Sequence, residues 1–166
     1  NYLVELDFHK GFALLEKYNL ISCMGVKWPD MLKLRNLASK FPNIIIVIDH
    51  AGFPEERNEE YFVQWSLALS VAAEADNIYC KISGLGMGDH SWTVDSIRPY
   101  VLQCIEAFGV ERCFFASNWP VDWLWSSYNA VVDAYTTIVK DFTLNEQKAL
   151  FSKNAETIYI LSPVTQ

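Results

Sequence analysis

Three apolar segments of the sequence each end in polar side chains that could do chemistry. The five apolar, β-branched residues Ile44–Ile48 run directly into Asp49 and His50. The ends of two later segments carry the remaining candidates, which are Lys81, Ser83, Ser117, Asn118 and Asp122. Ligands bind beyond the carboxyl ends of parallel strands, so we expect these groups to share one rim of a sheet. The alternative, that each strand simply reaches the surface, fits less well with a pattern that occurs three times.

His50 is the strongest candidate for a catalytic group. A neutral imidazole is a good ligand for zinc and similar metals, and a carboxylate next to such a site can act as a base toward bound water. A catalytic zinc usually has three protein ligands, and the chain offers only two other histidines. His9 falls on a predicted outer helix and is expected to have a packing or surface role. His90 lies in the loop after the third strand, where it either approaches the rim or is solvated.

Lys81 and a tryptophan-rich loop are the other features that call for an explanation. Lys81 interrupts the apolar segment "IYCKIS", and a charge in a strand needs a partner or a function. Either it forms an ion pair with Asp49 or it lines a pocket. Trp119, Trp123 and Trp125 lie close together in the chain. They either cover the rim or stack against a ligand ring.

The elements that must position these groups alternate regularly. The spacing predicts helices over about 8–18, 29–41, 55–75, 95–108, 128–140 and from 143, and strands over 20–26, 44–48, 78–83 and 112–117. A capping box, "TLNE", marks the start of the last helix. Such alternation predicts an α/β fold with a parallel sheet and right-handed crossovers. An open doubly wound sheet and half of a β/α barrel both fit.

Composition restricts the class of protein. The chain has 166 residues, 51% of them hydrophobic, and a net charge of -7. No basic cluster is present, which argues against nucleic acid as a partner. No apolar run is long enough to cross a membrane. The four cysteines, Cys23, Cys80, Cys104 and Cys113, form no C-x-x-C pair, so reduced thiols in a cytoplasmic protein are expected.

Four segments carry a resemblance to a known family. "IIIVIDHAGFP", "YCKISGL", "GVERCFFASNWPVD" and "LFSKNAETIY" occur in this order. Together they resemble the amidohydrolase-related family 2 proteins, which are metal-dependent TIM-barrel lactonases and related hydrolases of small lactones. The resemblance runs from about Phe12 to Leu161. It implies that residues 1–166 form one domain comprising strands five to eight of a TIM barrel, as a fragment of a longer chain.

The resemblance also implies roles for individual residues. His50 falls at the end of strand six, where the family presents a metal-binding or substrate-polarising histidine. Asn118 falls at the end of strand eight, where the family usually has an Asp that serves as base and metal ligand. Ser83 falls where substrate contacts arise, and Lys81 and Trp119 are expected to join it there. The cofactor implied is one divalent, zinc-like metal with His50 as a ligand. The last helix, with "NAETIY", resembles the family's C-terminal cap on the barrel wall.

Two departures from the family pattern leave alternatives open. The family's H-x-H motif of strand one is missing, and Asn118 replaces the Asp. An amide can orient water but cannot take its proton at neutral pH. Asp122 could supply the base if its loop folds back. The sequence therefore predicts a hydrolase that opens a small sugar or carboxylic-acid lactone. The alternatives are a non-catalytic half-barrel, in which a homodimer completes the ring, and a small-ligand binding module.

Overall fold

The computed structural model describes residues 1–160, so Leu161, where the resemblance ends, lies outside the described residues. Four parallel strands form one sheet in the order β1-β2-β3-β4. The strands are β1 Ser22–Met24, β2 Ile46–Ile48, β3 Ile78–Ile82 and β4 Cys113–Phe115. This architecture confirms the predicted α/β class and parallel sheet, and a partial barrel fits it. Each strand is shorter than predicted, although the backbone bonds from Ser22 N to Ile45 O and from Ala116 N to Ile82 O continue the pairing just past the strand ends.

The helices alternate with the strands, as the spacing predicts. They are α1 Leu6–Phe12, α2 Leu14–Lys17, α3 Met31–Lys40, α4 Glu59–Ala73, α5 Val94–Phe108, α6 Tyr128–Ile138, α7 Leu144–Lys148 and α8 Asn154–Ile158. The capping box at Thr143 is confirmed, since its side chain accepts from the Glu146 backbone N–H. The helix predicted from residue 55 begins at Glu59 because Asn58 caps it, accepting from Tyr61 N at 2.8 Å. No helix within residues 1–160 is long and apolar enough to cross a membrane.

The two faces of the sheet carry different groups of side chains, because successive strand residues point to opposite sides. Ile46 and Ile48 of β2 belong to the main core, together with residues of α3 to α6. Val47, between them, belongs to a second small core with Phe114 and Ile158. The sheet therefore has an outer face covered by helices and an inner face that only part of the chain covers.

Helix α8, which the resemblance interprets as a C-terminal cap on the barrel wall, packs against the inner face, where Ile158 contacts the cluster of Val47 and Phe114. Asn154 fixes its start by donating to the carbonyls of Val110 and Cys113 at 2.7 and 2.8 Å. Tyr159 packs edge-on against Phe114 of β4, and its hydroxyl shares a 3.4 Å hydrogen bond with Cys23 of β1. One aromatic side chain thus spans the inner face from the last strand to the first.

Candidate active site

A tight left-handed turn positions His50 at the carboxyl end of β2. The chain leaves Ile48 and enters the turn Asp49–Gly52, in which His50 and Ala51 both have φ of 53°. Residues other than glycine adopt this region only when the surroundings hold them there. The indole N–H of buried Trp65 on α4 supplies such a contact by donating to Ala51 O at 2.8 Å. The helix layer thereby holds the imidazole at the rim.

Ser83, at the end of β3, fixes the orientation of the imidazole. Ile48 lies opposite Cys80 in the sheet, so His50 and Ser83 emerge at nearly the same level. A 2.9 Å hydrogen bond joins His50 Nδ1 to Ser83 Oγ, and Ser83 is fully buried. If the hydroxyl accepts, Nε2 carries a lone pair and can act as a base; if it donates, Nε2 carries a proton and can polarise a carbonyl.

Burial sets the charge state of this imidazole. Burial lowers the pKa of His50 below its ordinary 6.5, and the nearby Lys81 lowers the pKa further. Asp49 and Asp122 act in the opposite direction but do not cancel the effect. The imidazole is therefore neutral at pH 7, which is the form that a base or a metal ligand requires.

Gly84 brings His50 and Asn118 together across a narrow gap. A Cβ added at Gly84 would lie 2.9 Å from His50 Nδ1 and 3.2 Å from Asn118 Nδ2. The two nitrogens are thus separated by no more than the sum of these distances. Asn118 itself has φ of 55°, so a second left-handed residue aims the amide toward the rim. The ends of β2, β3 and β4 therefore converge on one point, as the sequence predicts.

Asp122 lies behind Asn118 and not in the open cleft. The Asn118 amide Nδ2 donates to Asp122 Oδ1 at 2.8 Å, and Asp122 is only 2% exposed. Burial raises the pKa of the Asp122 carboxyl, while the bond from Asn118 and the nearby His50 act to lower the pKa. The loop does fold back, as a role for Asp122 at the rim requires, but the carboxylate it delivers is buried.

A cleft of about 470 Å³ opens over these groups on the inner side of the sheet. Its lining comprises His50, Lys81, Ser83, Phe114, Phe115, Ala116, Ser117, Asn118, Trp119, Ala155 and Tyr159. Trp119 is 40% exposed and offers an aromatic surface at the edge of the cleft. The sequence-predicted residues His50, Ser83, Asn118, Lys81 and Trp119 thus share one cleft.

Lys81 satisfies both explanations that the sequence leaves open. Its Nζ forms an ion pair with Asp49 Oδ1 at 2.7 Å, so the predicted ion pair is confirmed. The same side chain also lines the cleft, above the ring of Tyr159. Burial acts to lower the pKa of Lys81, but hydrogen bonding to Asp49 and Tyr159 outweighs burial and the pKa is raised. The ammonium group therefore stays charged at the floor of the cleft.

The other two histidines lie away from the cleft. His9 Nε2 is 2.7 Å from Leu3 O, which fits the predicted packing role on α1. His90 is exposed and stacks on Trp125 with ring centroids 4.5 Å apart, so it joins two loops and does not line the cleft. Within residues 1–160 no group of three or more His, Cys, Asp or Glu side chains could hold a metal ion. His50 alone does not make a metal site.

Sequence reasoning missed Gly84 and Tyr159. Gly84 directly follows a strand, and its φ of 63° marks a backbone position that favours glycine. That signal was available in the sequence as "ISG". Tyr159 lines the cleft from the end of α8, and nothing in the helical pattern indicates that this helix reaches the inner face.

Comparison with known proteins identifies the family. The family model described as Amidohydrolase matches residues 2–161. The chain belongs to the amidohydrolase family. The resemblance predicted from the four sequence segments is thereby confirmed.

Curated relatives of this amidohydrolase chain are about twice its length. It is 42% identical over 153 residues to the uncharacterized protein y4mH of Sinorhizobium fredii, covering 92% of this chain and 51% of that protein. It is 26% identical over 170 residues to an L-fucono-1,5-lactonase of Burkholderia multivorans, covering 95% of this chain and 57% of the lactonase. The chain thus spans about half the length of the curated relatives it matches.

Solved structures show the same arrangement of this half. A crystal structure of an amidohydrolase from Burkholderia multivorans with bound zinc superposes with a TM-score of 0.90 at 25% identity. The superposition covers 97% of this chain and 60% of that chain. A putative 2-pyrone-4,6-dicarboxylic acid hydrolase from Pseudomonas putida superposes with a TM-score of 0.80 at 15% identity, which supports the fold alone.

Proposed function

We propose that this chain forms the half of a lactone hydrolase that supplies the water-activating imidazole. One observation carries the proposal. His50, locked by Ser83, faces Asn118 across Gly84 in a cleft at the carboxyl ends of the strands. The similarity to an L-fucono-1,5-lactonase favours a small sugar lactone as substrate. The activity belongs to the complete protein, because the matched relatives contain a further half.

The reaction requires one proton acceptor and one polar group that orients water. In our proposal, Ser83 accepts from His50 Nδ1–H, and the Nε2 lone pair takes a proton from a water molecule. The water oxygen forms a bond to the lactone carbonyl carbon. The carbon–oxygen bond of the ring then breaks, and His50 returns the proton to the departing alkoxide. The product is a hydroxy acid and His50 is again neutral; ionisation of the acid then releases one proton to solution.

Lys81 and Trp119 are proposed to bind the substrate. The Lys81 ammonium group lies at the floor of the cleft, where it can attract the carbonyl or a ring hydroxyl oxygen of the lactone. Trp119 offers an exposed ring face at the rim, and such faces stack against sugar rings. These positions suit a small, oxygen-rich ring with one apolar face.

Whether this chain can bind a divalent metal ion depends on the ligand side chains present at the rim. Among residues 1–160, His50 is the one imidazole at the rim and no complete ligand set accompanies it. The residues present do not fit a metal centre by themselves. Further ligands would have to come from the half of the barrel outside this chain.

The cysteines support the predicted location of the protein. Three free thiols, those of Cys80, Cys104 and Cys113, are buried in the described part of the chain. Thiols that stay reduced are typical of a reducing compartment, so we propose a cytoplasmic location.

Hydrolysis of sugar lactones by the complete protein should fall as the pH falls through the pKa of His50. The base is the neutral imidazole, and burial lowers its pKa, so the midpoint of the acid limb of kcat/KM is expected below pH 6.5. A panel of five- and six-membered sugar lactones, assayed by proton release, measures this profile. The loss of kcat/KM at low pH should persist in the Asp122→Asn variant, which removes the carboxyl group near His50 that could otherwise account for it. A midpoint above 6.5, or no hydrolysis of any lactone, would contradict the proposal.

A second candidate is an assembly in which two copies complete one ring. Strands β1 and β4 are the two edges of the sheet and have no partner on their outer sides within residues 1–160, which favours it. Helix α8 argues against it, because Tyr159 already reaches from β4 to β1 and two such helices would compete for one interior. We therefore expect the strands that complete the barrel to differ in sequence from residues 1–166, and not to come from a second copy of them.

Light scattering on the 166-residue chain distinguishes these arrangements. The expected result is no stable species at twice the mass of 19.0 kDa. A homogeneous dimer would support the two-copy ring, especially if the Tyr159→Ala substitution, which removes the side chain that fills the interior, strengthened it. An exposed substitution such as Leu144→Ala on α7 serves as the control, because its side chain is 73% exposed and takes no part in either core.

A further inference from the structure

We propose that Asp122 is a positioning residue that holds the Asn118 amide in one orientation, with its oxygen free for the reacting water. The inference rests on the proposed hydrolytic function. It assigns to Asp122 a role different from that of the base. The observation behind it is the 2.8 Å hydrogen bond from Asn118 Nδ2 to a carboxylate that is nearly completely buried.

The loop after β4 is folded so that this contact is fixed. Asp122 lies in a short turn over Val121–Leu124, and its backbone N–H donates to Asn118 O at 3.3 Å. Its own carbonyl accepts from the N–H groups of Trp125 and Ser126 at 3.2 and 2.9 Å. Backbone bonds on both sides thus hold the carboxylate beneath the amide.

A carboxylate at position 122 can select one orientation of the Asn118 amide, whereas an amide there could pair with either end of it. An ionised carboxylate only accepts hydrogen bonds, so it can bind the NH₂ group of Asn118 and repels the amide oxygen. The amide nitrogen must then face Asp122. Within residues 1–160 no group donates to Asn118 Oδ1, and Asn118 lines the cleft. The orientation leaves the amide oxygen of Asn118 as an acceptor for a water molecule bound in the cleft.

The burial of Asp122 separates this role from direct proton transfer. Its side chain is absent from the lining of the cleft, while Asn118 and His50 are both part of it. A base must come within hydrogen-bond reach of the water it deprotonates. Asp122 is buried and bonded to Asn118, which does line the cleft, so its effect on the reaction passes through Asn118.

The geometry also couples the residue types at positions 118 and 122. An aspartate in place of Asn118 would put two carboxylates at hydrogen-bond distance, and two such groups cannot both be ionised without a large cost. A carboxylate at one position and an amide at the other avoids this conflict in either order. The chain has the amide at position 118 and the carboxylate at position 122. Exchanging the two side chains would reverse these positions and keep one amide–carboxylate hydrogen bond.

A double-mutant cycle in the complete protein tests the proposal through kinetics. The variants are Asp122→Asn, Asn118→Asp and the exchanged pair. We expect Asp122→Asn to lower kcat about tenfold, because it loses a charge-assisted hydrogen bond, and to leave KM within about twofold. Asn118→Asp should lower kcat and stability together, and the exchanged pair should recover most of both. Loss of roughly a thousandfold in Asp122→Asn without recovery in the pair would assign Asp122 as the base and overturn the proposal.

A spectroscopic measurement tests the orientation without reference to activity. Selective ¹⁵N labelling of asparagine gives one side-chain NH₂ pair per residue, and the Asn118→Asp variant identifies the pair of Asn118 by its loss. In the wild-type protein one of these protons is expected far downfield and protected from exchange. In folded Asp122→Asn it should move upfield and exchange faster. An unchanged signal would overturn the positioning role even if lactone hydrolysis is confirmed, and a changed signal would support it even if the substrate proves to be of another class.

Discussion

Replacing His50 by Asn is expected to lower kcat/KM for lactone hydrolysis by roughly two to four orders of magnitude, the range typical of a lost general base. Asparagine can keep a hydrogen bond to Ser83 Oγ and tolerates the left-handed backbone at this position, where φ is 53°. The loss should therefore reflect chemistry and not misfolding. The measurement is steady-state hydrolysis by the complete protein, with thermal unfolding recorded in parallel.

His9→Asn is the matched control for this variant. His9 lies on α1, contacts Leu3 O and Lys40, and does not line the cleft. We expect it to keep wild-type kcat/KM. If His50→Asn also keeps full activity, His50 has no chemical role and the proposed function is wrong in its main assignment.

Replacing Gly84 by Ala should abolish most of the activity by a purely steric route. The added methyl would lie 2.9 Å from His50 Nδ1, 3.2 Å from Asn118 Nδ2 and 2.6 Å from Met87 Cε. The Met87 side chain can move aside, but the imidazole and the amide are both held by hydrogen bonds. A displacement of about 1 Å can cost a hundredfold in rate, so we expect a loss of roughly that size.

Gly109→Ala separates this steric effect from backbone strain. Gly109 also has a positive φ, 77°, but no atom lies within 4 Å of an added Cβ. Placing alanine in the left-handed backbone of Gly84 should lower the free energy of unfolding by about 1–2 kcal/mol. Placing it in the positive-φ conformation of Gly109 should lower that free energy by about 1–3 kcal/mol. Gly109→Ala should therefore be destabilised at least as much yet retain its activity. Equal loss of activity in both variants would show that stability, not site geometry, limits the rate.

Much of the candidate site could be predicted from the sequence, because each strand ends where an apolar run gives way to polar residues. The apolar run before His50 and the one before Ser117 each stop at polar residues, and parallel strands bring such ends to one rim. The ion pair between Lys81 and Asp49 follows from the same reasoning, since a charge in a strand needs a partner. The regular alternation of strands and helices was sufficient to predict the fold class.

The details that aim the side chains were not accessible in the same way. His50 and Asn118 both have left-handed backbones, which sequence propensity disfavours and tertiary contacts enforce. Trp65 stabilises the turn at Ala51 through a hydrogen bond across 14 positions of sequence, and no local pattern predicts that bond. The burial of Asp122 likewise depends on a turn that folds beneath Asn118.

The path of the last helix depends on the hydrogen bonds that Asn154 makes at its start. Asn154 reaches the carbonyls of Val110 and Cys113, and this directs α8 across the inner face. Its amphipathic pattern indicates that one side is buried but not which face of the sheet covers it. Tyr159, and with it the floor of the cleft, could therefore be found only from the structure.

A crystal structure of the complete protein with the ring-opened hydroxy acid of a sugar lactone tests the central assignment most directly. The product carboxylate is expected within hydrogen-bond distance of both His50 and Asn118, above Gly84, with its polyol chain beside Trp119. Product bound instead in the separate cleft of about 400 Å³ beside Arg57 and Tyr100, with neither His50 nor Asn118 in contact, would contradict the account.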